Sequence, residues 1–119
     1  EESTAMSNEA KNPGEVTLCV SNGYKKKFYL NENFNQLPQS IRDELKIMCV
    51  LYTEDVGGIL ELVFDEDGTL QFKTSCEEND FLYDEIGSVL KIKQYQNEKR
   101  DLLEALEMFY RIIYLGEGL

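Results

Sequence analysis

The chain has no histidine among its 119 residues, and that one absence removes a wide range of chemistry. Ser-His-Asp and Cys-His nucleophile activation, the H-E-x-x-H zinc helix and imidazole proton transfer near neutral pH all need the ring. Cysteine is scarce as well: Cys19, Cys49 and Cys76 are an odd number at wide spacing, with no C-x-x-C pair. Neither a disulfide framework nor a zinc site is expected from them. No apolar run approaches the roughly 20 residues that a membrane-crossing helix needs. No basic segment followed by an apolar one opens the chain, so we expect a cytoplasmic protein that does not engage a membrane.

Cations are few. Twelve Lys and Arg stand against 23 Asp and Glu, a formal charge of −11. The excess is concentrated between residues 54 and 85, where eleven acidic side chains face the single Lys73. Because a nucleic-acid binder gains affinity by neutralising phosphates with Lys and Arg, this balance argues against direct nucleic-acid binding. The one basic run, Lys25 to Lys27, is too short to reverse it. A basic protein surface is the natural complement of the acidic middle.

What is present fits one soluble domain. An apolar fraction of 42% and a charged fraction of 29% are ordinary for a globular protein. Residues 1–13 are polar and without periodicity, and we read them as a flexible tail ahead of a single α+β domain over 14–119. "EVTLCVSNGYKKKFYLN" has strand chemistry around Asn22-Gly23, a hairpin signal. A tight two-residue turn there sets apolar against polar residues. Shifting by one pairs Val16 with Leu30 and Leu18 with Phe28, which predicts a bulge or a three-residue loop.

"LPQSIRDELKIMCVLYTEDVGG" predicts a helix, with Pro38 in its first turn and Ile41, Leu45, Met48 and Tyr52 on one stripe. Its later half is apolar all round, so we expect a central helix covered on more than one side, with Cys49 a small buried hydrophobe. "GILELVFDEDGTLQFKT" predicts a second hairpin. A type I turn over Asp65–Gly68 sets Leu62 opposite Phe72 and Phe64 opposite Leu70 on an apolar face, and Glu61 opposite Lys73 on a watery one. "EENDFLYDEIGSVLKIKQYQ" and "NEKRDLLEALEMFYRIIYLGEG" read as helical, one long helix or two, with Gly87 and the stretch around Asn97 as candidate breaks and "LKIKQY" as a possible short strand. The second of them carries a broad stripe of Leu102, Leu103, Leu106, Phe109, Tyr110 and Ile113, a Glu107 to Arg111 pair, and Gly116 as a stop. The whole is an α+β fold of order ββαββαα: two antiparallel β-hairpins packed on a central helix and a long C-terminal helix or helices.

No motif assigns a catalytic, cofactor-binding or metal-ligating residue. "FDEDGTL" has the centre of a calcium loop, but the first and last ligand positions fall on Val63 and Thr74, so a hairpin turn is the better reading. In "LYTEDVGGIL", Glu54 and Asp55 sit beside Gly57-Gly58, which reads as a helix ending in a corner rather than as a site. Carboxylates in "CEENDFLYDEIGS" suit a helix start, with Ser75 and Glu78 as a capping box. Tyr83, Tyr95, Tyr110 and Tyr114 read as semi-buried core.

Across "DELKIMCVLYTEDVGGILELVFDEDG", "YDEIGSVLKI" and "ALEMFYRIIYLGE" the chain resembles a family of small uncharacterised cytosolic proteins of Firmicutes, mostly clostridial, over roughly residues 16–116. The resemblance implies a bacterial cytoplasmic setting and no activity. We therefore expect a non-enzymatic acidic interaction or regulatory module that meets a basic protein through Glu54, Asp55, Asp65, Glu66, Asp67, Asp80, Asp84 and Glu85. The alternatives are an immunity or antitoxin-type inhibitor of a basic partner and a small-ligand-binding protein. No cofactor is implied, and the width of the C-terminal stripe suggests a homodimer through that helix.

Overall fold

The computed structural model describes residues 14–116; the predicted tail, residues 1–13, lies outside them. The order is β1 (Val16–Asn22), β2 (Lys27–Leu30), a 3-10 turn (Glu32–Phe34), α1 (Gln39–Val56), β3 (Ile59–Phe64), β4 (Leu70–Ser75), α2 (Glu85–Glu98) and α3 (Arg100–Ile113). The four strands form one antiparallel sheet in the order β2-β1-β3-β4.

The second hairpin follows its local chemistry. Gly68 is left-handed (φ 85°), its N–H donates to the Asp65 carbonyl, and Leu62 pairs with Phe72 and Phe64 with Leu70, as expected. Its outer face is less open than the alternation suggests, since Thr17 and Val63 are buried there among half-buried Glu15, Glu61, Gln71 and Lys73.

The first hairpin departs from the expected register. Ser21 pairs with Phe28 and Cys19 with Leu30, joined by a four-residue loop over 23–26. The reason is local. Asn22 does not enter a tight turn with Gly23; its side-chain oxygen accepts the N–H groups of Tyr24 and Lys25, and Lys26 takes a left-handed φ of 54° to return the chain. β1 does contain a bulge, between Thr17 and Cys19, but facing β3. It turns both Leu18 and Cys19 into the core.

α1 lies across the sheet, where it meets β1, β2 and β3, and it also packs against α2 and α3. Leu45, Met48, Cys49, Tyr52 and Val56 are buried, but Ile47 and Leu51 are exposed, so the helix is central without being covered all round. α2 reaches along one flank only and leaves that strip in solvent. Gly57, at φ 89°, ends the helix and Gly58, at φ 71°, starts the return into β3, which is the corner that Gly57-Gly58 predicted.

The C-terminal segment is two helices with a break at Lys99, near the polar candidate around Asn97; "LKIKQY" is helical throughout. Ser75 ends β4 and caps nothing. The cap of α2 is Asp84, whose carboxylate accepts the Gly87 N–H at 2.8 Å. Glu107 does not turn along its own helix toward Arg111 but accepts the Leu70 N–H at 2.8 Å, tying α3 to β4. Leu102, Leu103, Leu106 and Tyr110 are buried within the chain, while Met108 and Ile113 stay exposed. Phe34, Phe64, Tyr110 and Tyr114 stack in a continuous cluster, with Phe64 and Tyr110 4.3 Å apart at their centroids. Gly116 has a left-handed φ of 69° just past α3.

Candidate functional site

The chain's polar and unusual features gather where the corner after α1 meets the β1–β2 loop and the segment between β4 and α2. Close backbone contact builds this end. The Gly23 N–H donates to the Gly58 carbonyl at 2.8 Å, and a Cβ on Gly58 would come within 2.6 Å of the Ser75 carbonyl and of the Tyr83 ring. Tyr24 then pins the 76–84 segment: its hydroxyl donates to Asp80 at 2.6 Å and accepts the Glu77 N–H at 2.9 Å. Desolvation first, and Asp80 second, raise its phenol above the ordinary value.

Beneath α2 lies a polar seam. There the Tyr52 and Ser88 hydroxyls share a buried hydrogen bond of 2.6 Å, while between β1 and α1 Ser21 and Thr53 share another of 2.9 Å. Burial pushes the Tyr52 phenol well up; Ser88 opposes the shift and the neighbouring Tyr83 adds to it. Cys19 and Cys49, far apart in the chain, place their sulfurs 3.8 Å apart in the core. They are free thiols, and burial raises Cys19, so they act as small hydrophobes rather than nucleophiles.

The outward side of α2 is unusual. Ser88 and Tyr95 turn inward, yet Ile86 (76% exposed), Val89 (54%) and Leu90 (62%) line the outer face of the first two turns. Just before them Phe81 and Leu82 are 91% and 92% exposed. Exposed Glu77, Glu78, Asp84 and Glu85 flank this apolar strip in the chain. Isolated apolar side chains on a surface mean little, but here five exposed ones fall within ten positions of the chain.

The eight acidic residues expected to act together do not form one patch. Asp65, Glu66 and Asp67 cap the far end of the sheet, roughly 20 Å away by the length of β3. There Asp65 serves the turn: its carboxylate accepts from the Thr69 and Asp67 N–H groups and from the Gln71 amide, and these bonds, Thr69 first, hold it below the ordinary carboxylate value. Among the other five, Asp80 is bound by Tyr24, Asp84 caps α2, and Asp55 pairs with Lys91 at 3.0 Å. That pair raises Lys91, whose ammonium lies 5.8 Å over the Tyr95 ring. Glu54 and Glu85 face solvent.

On the other side of the corner a cleft of about 470 Å³ opens between the first hairpin and α1. Its walls are Ser21, Asn22, Gly23, Lys26, Lys27 and Phe28 from the hairpin and Lys46, Val50, Thr53 and Glu54 from α1. The three lysines are separated by up to 20 positions, so no local pattern marks them. The apolar strip had a faint signal, because apolar residues recur all round α2 with no inward stripe.

This geometry defines a small α+β domain, one four-stranded antiparallel sheet backed by three helices. The chain belongs to a family of unknown function, DUF6145, whose model matches residues 15–118. No curated protein and no solved structure matches it. Among the described residues no group of side chains is placed to hold a metal ion, and no helix is long and apolar enough to cross a membrane.

Proposed function

We propose that the protein is a non-enzymatic interaction module that docks a basic, amphipathic segment of a partner protein on the outer face of α2 and the segment before it. One observation carries the reading: Phe81, Leu82, Ile86, Val89 and Leu90 are all more than half exposed, on an element held in place by its opposite face. Apolar side chains of the partner would cover this strip. Its Lys or Arg would meet Glu77, Glu78 and Glu85, steering encounter in a salt-dependent way. Asp80 and Asp84 belong to the structure that displays the strip, and the Asp65–Asp67 turn is too distant to share this surface.

The test is affinity capture by the purified protein from lysate of its native host, in parallel with Leu82→Glu, Ile86→Glu and the charge-reversed pair Glu78→Lys with Glu85→Lys. A partner that is lost with both kinds of variant and released by high salt supports the reading. A partner that both kinds retain sinks it. Circular dichroism of each variant separates lost docking from lost fold.

A further inference from the structure

We propose a second site, independent of the docking strip: the cleft between the β1–β2 hairpin and α1 binds a small organic anion of two or more negative charges, held by the ammonium groups of Lys26, Lys27 and Lys46. Charge is the first reason. In a chain of net −11, three of the 12 cationic side chains line one cleft, against the single carboxylate of Glu54. Among the described residues none of the three makes an ion pair, so all three ammonium groups are open to a ligand. Like charges converging on a concave surface repel one another, and an anion between them removes that repulsion.

Shape is the second. About 470 Å³ lies within the range of small-ligand sites and is too confined for a folded partner. Phe28 and Val50 offer apolar contact, which favours an organic anion over a bare inorganic one. The floor is already rigid: Ser21 and Thr53 bond to each other, and Thr53 donates on to the Val50 carbonyl at 3.1 Å. Recognition therefore falls to the lysines at the mouth.

The third reason is conformational. Lys26 is the one non-glycine residue with positive φ among the described residues, at 54°. Glycine would close this loop with less strain. A lysine there keeps an ammonium at the cleft at the expense of local stability, the signature of a residue retained for binding.

Citrate, inorganic pyrophosphate and adenosine monophosphate serve as probes, each titrated into isotopically labelled protein at constant ionic strength with sodium chloride as the reference. Saturable amide shifts at Gly23, Lys27, Phe28 and Thr53 with citrate or adenosine monophosphate are expected, and saturation by pyrophosphate alone would overturn the organic assignment. Lys26→Gly should raise the melting temperature of the free protein yet weaken binding at least about tenfold, the loss of one charge-assisted hydrogen bond. Lys46→Gln should weaken it similarly, and Lys25→Gln, outside the cleft, should leave it unchanged. No saturable shift with any probe overturns the proposal. So does an equal loss from Lys25→Gln, which would reduce the effect to general screening.

Discussion

Two adjacent glycines at the end of α1 look alike in the sequence and do different work. Gly57 (φ 89°) has nothing within 4 Å of a Cβ placed on it, whereas Gly58 (φ 71°) would drive a Cβ into backbone and ring at 2.6 Å. Gly57→Ala should cost about 2 kcal/mol, because its backbone (φ 89°, ψ −171°) lies in a region that essentially only glycine adopts. Gly58→Ala adds steric displacement of β4 and Tyr83 to a positive-φ penalty and should cost at least about 3 kcal/mol. Urea unfolding of the two variants, compared at equal m-value, measures the difference. Asp65 makes a pH prediction of definite sign. Its carboxyl lies lower in the folded chain than its ordinary 3.8, so its contribution is present above that value and fades as pH falls through the folded value. Asp65→Asn should therefore destabilise at neutral pH, and its stability should converge on that of the parent in acid. The glycine corner and the Asp65 turn were both readable beforehand, because their causes lie within four residues.

Among the elements, α2 is the least anchored. It packs on α1 and α3, keeps its apolar outer face in water, and is tied down by the Tyr52–Ser88 bond and the Asp55–Lys91 pair, of which an exposed pair contributes at most about 1 kcal/mol. Hydrogen exchange should show α2 opening at lower free energy than α1. Asp84→Ala should remove about 1 kcal/mol of cap and widen that gap, while Asp84→Asn should largely preserve it. Uniform protection across both helices would contradict this ranking. The same element shows where sequence reading stops. Carboxylates around a helix start were visible, but several of them could cap, and only the path of the chain over Tyr24 and Gly58 selects Asp84 over Ser75. β2 is a parallel case: Asn22-Gly23 signals a hairpin, and the Asn22 side chain then imposes a longer loop and another register.

For the molecule entire, charge and apolar surface oppose each other. A net −11 disfavours association of like copies, and most of the α3 stripe is buried within its own chain. Sedimentation at moderate salt should therefore find a monomer. A dimer that dissociates in Ile113→Lys would instead place self-association on α3, as the width of its stripe suggested. The structure also separates charges that the sequence keeps together. The acidic middle divides between the two ends of the sheet, and dispersed lysines join beside the corner.

Local order in this chain follows from short-range physics. The β3–β4 register, the ends of α1 and the inward stripe of α3 are each fixed by turn chemistry or helical spacing over a few residues. The placing of β1 beside β3, the buried meeting of Cys19 with Cys49, the outward apolar face of α2 and the convergence of Lys26, Lys27 and Lys46 are set by packing across dozens of positions. Such pairings are chosen by how faces bury against one another, which no window of the sequence contains.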